Sequence, residues 1–112
     1  HGDGWEGYPQ SFMHLLALVA RHKPRNLYLL SGDTHLACTA TIRVTAGDDT
    51  VQCWSVHTPA LFGPYPFANC PPCELLTQEA FDVVDHAGAV IGRCEIDTVG
   101  TDPGEGFTLL RV

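Results

Sequence analysis

Apolar and polar positions along the chain change period several times, and each change marks an element. Phe12, Leu15, Leu16 and Val19 fall at i, i+3, i+4 and i+7, one apolar stripe of an amphipathic helix. Pro9 suits the first turn of that helix, where its missing N–H costs nothing. Arg21, His22 and Lys23 suit its last turn, and Pro24 stops it. The nine residues before the stripe are rich in Gly and aromatics and read as a loop. Asn26 to Leu30 is short and apolar, the signature of a strand covered on both faces. From Leu36 to Thr45 the period is two, with Leu36, Cys38, Ala40, Ile42 and Val44 on one side and Thr39, Thr41, Arg43 and Thr45 on the other. The turn Ala46-Gly47-Asp48-Asp49 and the returning run Val51 to His57 complete a hairpin.

Residues 58 to 73 hold five prolines and little periodicity, so they read as an irregular surface segment. A short helix is expected around Glu74 to Glu79. Phe81 to Asp85, the turn His86-Ala87-Gly88 and Ala89 to Thr98 form a second hairpin. A turn over Val99 to Gly106 and a last strand over Phe107 to Val112 follow. The expected fold class is α/β: an N-terminal helix, one buried strand and four or five mostly antiparallel strands. These sheets lack the helices to cover them, so the inventory resembles half of a layered domain. Marginal solubility and unpaired strand edges are expected of it.

With 112 residues the chain is one domain or a piece of one, and 45% hydrophobic against 17% charged residues is globular composition. His1 follows neither a Met nor a signal-like segment, so a truncated or partial product is expected. No apolar run is long enough to span a bilayer. The formal charge of −7 disfavours binding to nucleic acid or anionic lipid. An anionic substrate would need a local positive centre, which a metal supplies better than six scattered Lys and Arg. Of five cysteines, Cys38, Cys53 and Cys94 sit in apolar strand-like runs and act as small hydrophobes. The odd count argues against a full disulfide framework and leaves the compartment open.

Asp33 and His35 are the sharpest candidates for chemistry. A carboxylate and an imidazole two residues apart, behind Gly32 and beyond a strand's carboxyl end, can both face one centre. Mixed oxygen and nitrogen donors suit zinc, iron or manganese better than magnesium. The bland reading of the same spacing is a surface Asp beside a hydrogen-bonded His. Cys70-Pro71-Pro72-Cys73 is compatible with a zinc clamp, a redox disulfide or neither. His57 closes an apolar strand, where a backbone-bonded core role competes with a pocket role. His14, His22 and His86 read as structural or solvent-facing, and Trp54 as sheet packing.

Asp3-Gly4-Trp5-Glu6-Gly7-Tyr8-Pro9, an amphipathic helix, and then Leu29-Leu30-Ser31-Gly32-Asp33-Thr34-His35 resemble the PhoD-like metallophosphatases of the calcineurin-like metallophosphoesterase superfamily. In that family a D-x-W-x-G-Y-P segment precedes a helix, and a buried strand ends in a G-D-x-H loop. Ser55-Val56-His57-Thr58 and Pro64 to Asn69 are similar to the loop that follows. The resemblance implies two packed β-sheets with helices outside, the chain being the C-terminal part of a metallophosphatase domain whose upstream half is absent. It also implies a metal-dependent phosphoester hydrolase with two divalent or trivalent ions (zinc, iron, manganese or calcium), and a phosphoester small molecule as substrate. Asp33 and His35 would then be catalytic metal ligands, and Asp3, Trp5, Tyr8 and His57 would line the substrate pocket. The family's remaining ligands come from D-x-H, G-D-x-x-D and G-N-H-D/E segments, none of which precedes the Gly32 loop here. The isolated chain is therefore expected to be inactive without an upstream half. Two other readings stay open: a non-catalytic β-rich interaction fragment, and a zinc or thiol module centred on Cys70 and Cys73.

Overall fold

The computed structural model describes residues 5–32, 36–59, 61, 78–104 and 106–111. A 3-10 turn at Trp5–Gly7 leads into helix α1 (Pro9–His22), and five strands follow: β1 (Tyr28–Ser31), β2 (Leu36–Ala46), β3 (Asp49–His57), β4 (Gln78–Val84) and β5 (Val90–Pro103). They make one sheet in the order β1-β3-β2-β5-β4. Only the β1–β3 pair is parallel, because α1 and the Pro24–Leu27 link deliver β1 in the same direction as β3. The chain is thus α/β, a mostly antiparallel five-stranded sheet with, among the described residues, one α-helix.

The helix starts at Pro9 without a side-chain cap and ends at Lys23, whose left-handed backbone (φ 48°) lets its N–H donate to the Val19 carbonyl. Its buried positions are Leu16, Ala17, Val19 and Ala20. The stripe is therefore turned slightly from the sequence reading: Met13, Ala17 and Ala20 face the sheet, and Leu15 is only half-buried. Two alanines let the helix approach the strands closely. Beneath it lie Ile42, Val44, Cys53, Val83 and Cys94, with Phe12, Leu27, Leu29, Phe81 and Ile96 around them. Ion pairs join the helix end to both hairpin turns, Arg21 to Asp85 at 3.5 Å and Lys23 to Asp49.

Both hairpins form as the alternation predicts, with Gly47 (φ 64°) and Gly88 (φ 85°) supplying the positive φ that their turns require. In the second turn, Asp85 Oδ1 accepts from the N–H groups of Ala87 (2.9 Å) and Ala89 (3.0 Å).

Elsewhere the sequence reading needs correction. The opening loop contains the Trp5–Gly7 turn. The Asn26–Leu30 run is not covered on both faces: β1 sits at the sheet's edge among the described residues, and Leu30 is 67% exposed. Gln78 and Glu79 belong to β4 rather than to a helix, while residues 74–77 lie outside the described residues. The turn expected at Val99 is instead strand. A bulge opposite Thr39 and Ala40 absorbs Val99, and β5 runs on to pair Leu36 and Ala37. The reason is β2's length: the backbone groups that its first residues turn toward β5 need partners on that edge, and β5 supplies them by running on to Pro103. Residues 107–111 form no strand, and Phe107 and Leu109 are 78% and 70% exposed.

Candidate functional site

Strand direction defines two unlike ends of the sheet. One holds the hairpin turns and the last turn of α1. The other holds the carboxyl ends of β1 and β3 and the start of β2. The Gly32 loop leaves the sheet at this second end.

There Ser31 of β1 is the parallel partner of His57 in β3, and His57 is the antiparallel partner of Cys38 in β2, which in turn faces Thr101 of β5. The next row on the same face is Leu29, Ser55, Ala40 and Thr98. By strand alternation, both rows continue the face that carries the core under α1. The face therefore passes from apolar side chains beneath the helix to two rows of small and polar ones near the strand ends, with the buried Leu36 of β2 beyond them. The result is a half-buried polar ledge.

His57 is the best-defined group on it. Ser31 Oγ lies 2.9 Å from His57 Nδ1, and the Thr58 N–H donates to the Ser31 carbonyl at 3.0 Å. Gly32 sits beside this contact, with Thr58 O within 3.7 Å of where a Cβ would stand. Such an arrangement can hold an imidazole in one orientation at a strand end, a usual location for ligands in open α/β sheets.

Charge is distributed elsewhere. Arg43 pairs with Glu95 (2.9 Å) and Asp97 (3.3 Å) and Arg93 with Asp82 (3.1 Å), all on the face away from α1. Arg21 and Lys23 are engaged at the turn end. None of these four cations lies on the ledge.

Of the residues singled out from the sequence, the structure brings His57 to the end of the strand that leads into the Gly32 loop. Asp3, Asp33 and His35 lie outside the described residues, as do Cys70 and Cys73. Trp5 stacks on Phe12 at 5.2 Å between ring centroids, and Phe12 meets Phe81 of β4 at 6.2 Å. Strands β3 and β4 are three positions apart, about 14 Å at the usual spacing. Trp5 is thereby anchored toward the opposite side of the sheet from His57. It is 48% exposed, and Tyr8 at the helix start is 56% exposed. His14, His22 and His86 are exposed, and Trp54 is half-buried in the sheet. Cys53 and Cys94 are buried free thiols, and Cys38 is half-buried. Burial pushes the Cys53 thiol up, and Cys94 is raised to about 11 by burial and then by the Cys53 thiol.

Sequence reasoning gave no site role to Ser31, Thr98 or Thr101, and read Cys38 as a small hydrophobe. Strand periodicity places Cys38 on His57's side of the sheet, but pairing Ser31 with His57 requires the parallel register. Among the described residues no group of three or more His, Cys, Asp or Glu could hold a metal ion, and no helix is long and apolar enough to cross a membrane. Compared with protein-family models, curated proteins and solved structures, the chain matches none.

Proposed function

We propose that this chain carries part of a metal-dependent phosphoester hydrolase of the PhoD-like type. Asp33 and His35 are its metal ligands, and Asp3, Trp5, Tyr8 and His57 shape the substrate pocket. The observation that supports the reading best is the Ser31–His57 contact at the head of the Gly32 loop. It puts an oriented imidazole at the strand end from which the G-D-x-H motif departs.

The metals would be held by Asp33 and His35 together with further donors, since among the described residues no group of three or more His, Cys, Asp or Glu could hold a metal ion. When bound, the ions would supply an activated water and stabilisation of developing negative charge. His57 lines the pocket at the phosphoryl end, and the exposed Trp5 and Tyr8, anchored across the sheet from it, would meet only the far organic part of an extended ester. A second packed sheet belongs to this reading as well. It would meet the Trp54 and Val56 region of the face away from α1, since covering the Arg43–Glu95–Asp97 cluster would bury charge at high cost.

Elemental analysis of the purified protein, wild type beside His35→Ala and Cys70→Ser, tests the reading. Stoichiometric metal lost only with His35→Ala supports it and directs the assay to phosphomonoesters and phosphodiesters with an upstream half supplied. Metal lost only with Cys70→Ser favours a zinc module instead. Among the described residues β1 is an edge strand, and its exposed Leu30 favours one rival, a β-rich interaction module that predicts partner binding indifferent to chelators.

A further inference from the structure

Val84 ends β4, an edge strand of the sheet among the described residues. Its pairing with Val90 follows an irregularity after Val83, and the next N–H, that of Asp85, donates to the Ala89 carbonyl at 2.9 Å. Successive N–H groups on a strand point to opposite sides, so the Val84 N–H turns away from β5 and its ladder. It donates instead to Met13 Sδ of α1, at 3.2 Å. A thioether is a weak acceptor, but it is the group that the helix brings there. The preceding residue, Phe12, makes the two ring contacts that join Trp5 to Phe81 of β4. Phe12 and Met13 together thus hold the first half of α1 against β4.

We propose that Met13, the chain's single methionine, is a site of reversible oxidation by hydrogen peroxide, and that its sulfoxide releases the first half of α1 from β4. A sulfur lone pair attacks one peroxide oxygen, the O–O bond breaks, an S–O bond forms and water leaves; sulfur is oxidised and peroxide reduced. A dithiol-dependent methionine sulfoxide reductase restores the thioether, with water and a disulfide as products. Met13 is half-buried rather than sealed in the core, and the Val84 N–H engages one of its lone pairs. The buried Cys53 and Cys94 thiols, held protonated, compete poorly for peroxide, which reacts with thiolate. An S–O bond needs room that a 3.2 Å contact does not leave, so Sδ gives up its place at the Val84 N–H. The sulfoxide also sets a polar group against the core cluster on which Met13 packs. Nothing in this depends on the phosphoesterase reading.

Wild type and Met13→Leu, which keeps an apolar side chain of similar size and removes the acceptor, test the proposal. In the reduced proteins, hydrogen exchange at the Val84 amide, read by NMR, should be about threefold faster in Met13→Leu. Both proteins are then treated with hydrogen peroxide, followed by dithiothreitol to return disulfides to thiols. Peptide mass mapping should find one added oxygen on wild-type Met13. The wild-type melting temperature should fall by about 5 °C and its Val84 exchange should quicken, and methionine sulfoxide reductase should reverse both. Met13→Leu should keep its own melting temperature through the same steps. The reversal is read within wild type and does not depend on how well the variant folds. Met13 left unoxidised where free methionine is fully converted overturns the inference. So does an oxidised Met13 with unchanged melting and Val84 exchange, or a fall that the reductase fails to reverse. An equal fall in Met13→Leu, or equal Val84 exchange in the two reduced proteins, overturns it as well.

Discussion

Gly92 in β5 is where the sheet tolerates a side chain least. A Cβ built there would stand 2.6 Å from the backbone oxygen of Thr45 and 3.6 Å from the Cβ of Ala46. Ordinary contact begins at 3.4 Å, so Gly92→Ala forces β5 and the end of β2 about 0.8 Å apart. The obstacle is backbone and cannot rotate away. Overpacking of this kind costs about 1–3 kcal/mol. A neighbouring ladder bond stretched by the same shift loses roughly 0.5–1.5 kcal/mol. Reduced freedom of the unfolded chain returns about 0.5–1 kcal/mol. The expected net loss is about 2 kcal/mol (about 0.5–4 at the extremes), which at roughly 2 kcal/mol per molar moves a urea midpoint down by about 1 M. Gly100, in the same strand, is the control, because nothing lies within 4 Å of its would-be Cβ. Gly100→Ala should be neutral or stabilise by up to about 1 kcal/mol. Equal midpoints for the two variants, or a Gly92→Ala midpoint at or above wild type, would refute the close approach of β5 to β2.

Leu16 is 1% exposed at the centre of the helix–sheet contact, so Leu16→Ala should cost about 2–5 kcal/mol in urea unfolding and increase binding of a hydrophobic dye. The Cys94 thiol, held up to about 11 from an ordinary value of 9.0, remains protonated in the fold after the unfolded chain has ionised. Its contribution is therefore full below pH 9 and declines as pH rises toward 11; thermal melts across that range should show the decline, and Cys94→Ala should flatten it. Leu30 leaves an apolar side chain on an edge strand, so Leu30→Lys should lower concentration-dependent self-association in light scattering while leaving the melting temperature near that of wild type.

Local periodicity made much of this chain legible. The helix begins at Pro9 as read, both hairpins have the expected partners, and Cys53 and Cys94 are buried, reduced strand residues. Those features depend on neighbours a few residues apart, whose chemistry is written consecutively. The misreadings share another cause. Val99-Gly100-Thr101-Asp102-Pro103 carries turn chemistry, yet it is strand because the far end of β2 requires a partner and a bulge accommodates the extra residue. Phe107 to Leu110 has strand composition, yet no strand pairs with it among the described residues. Asn26 to Leu30 is apolar enough for a sheet centre, yet sheet order leaves β1 at an edge.

The candidate site divides the same way. By itself the sequence determined which residues carry suitable chemistry: the Asp33 and His35 pair behind Gly32, and His57 at the end of its strand. Tertiary structure alone decided that Ser31, 26 positions earlier, lies against His57, and that Trp5 is anchored over β4 instead. Alternation fixes the face a side chain takes within its own strand. Which strands become neighbours, and in what register, depends on burying one apolar face under one helix, and that balance is struck by the whole chain at once.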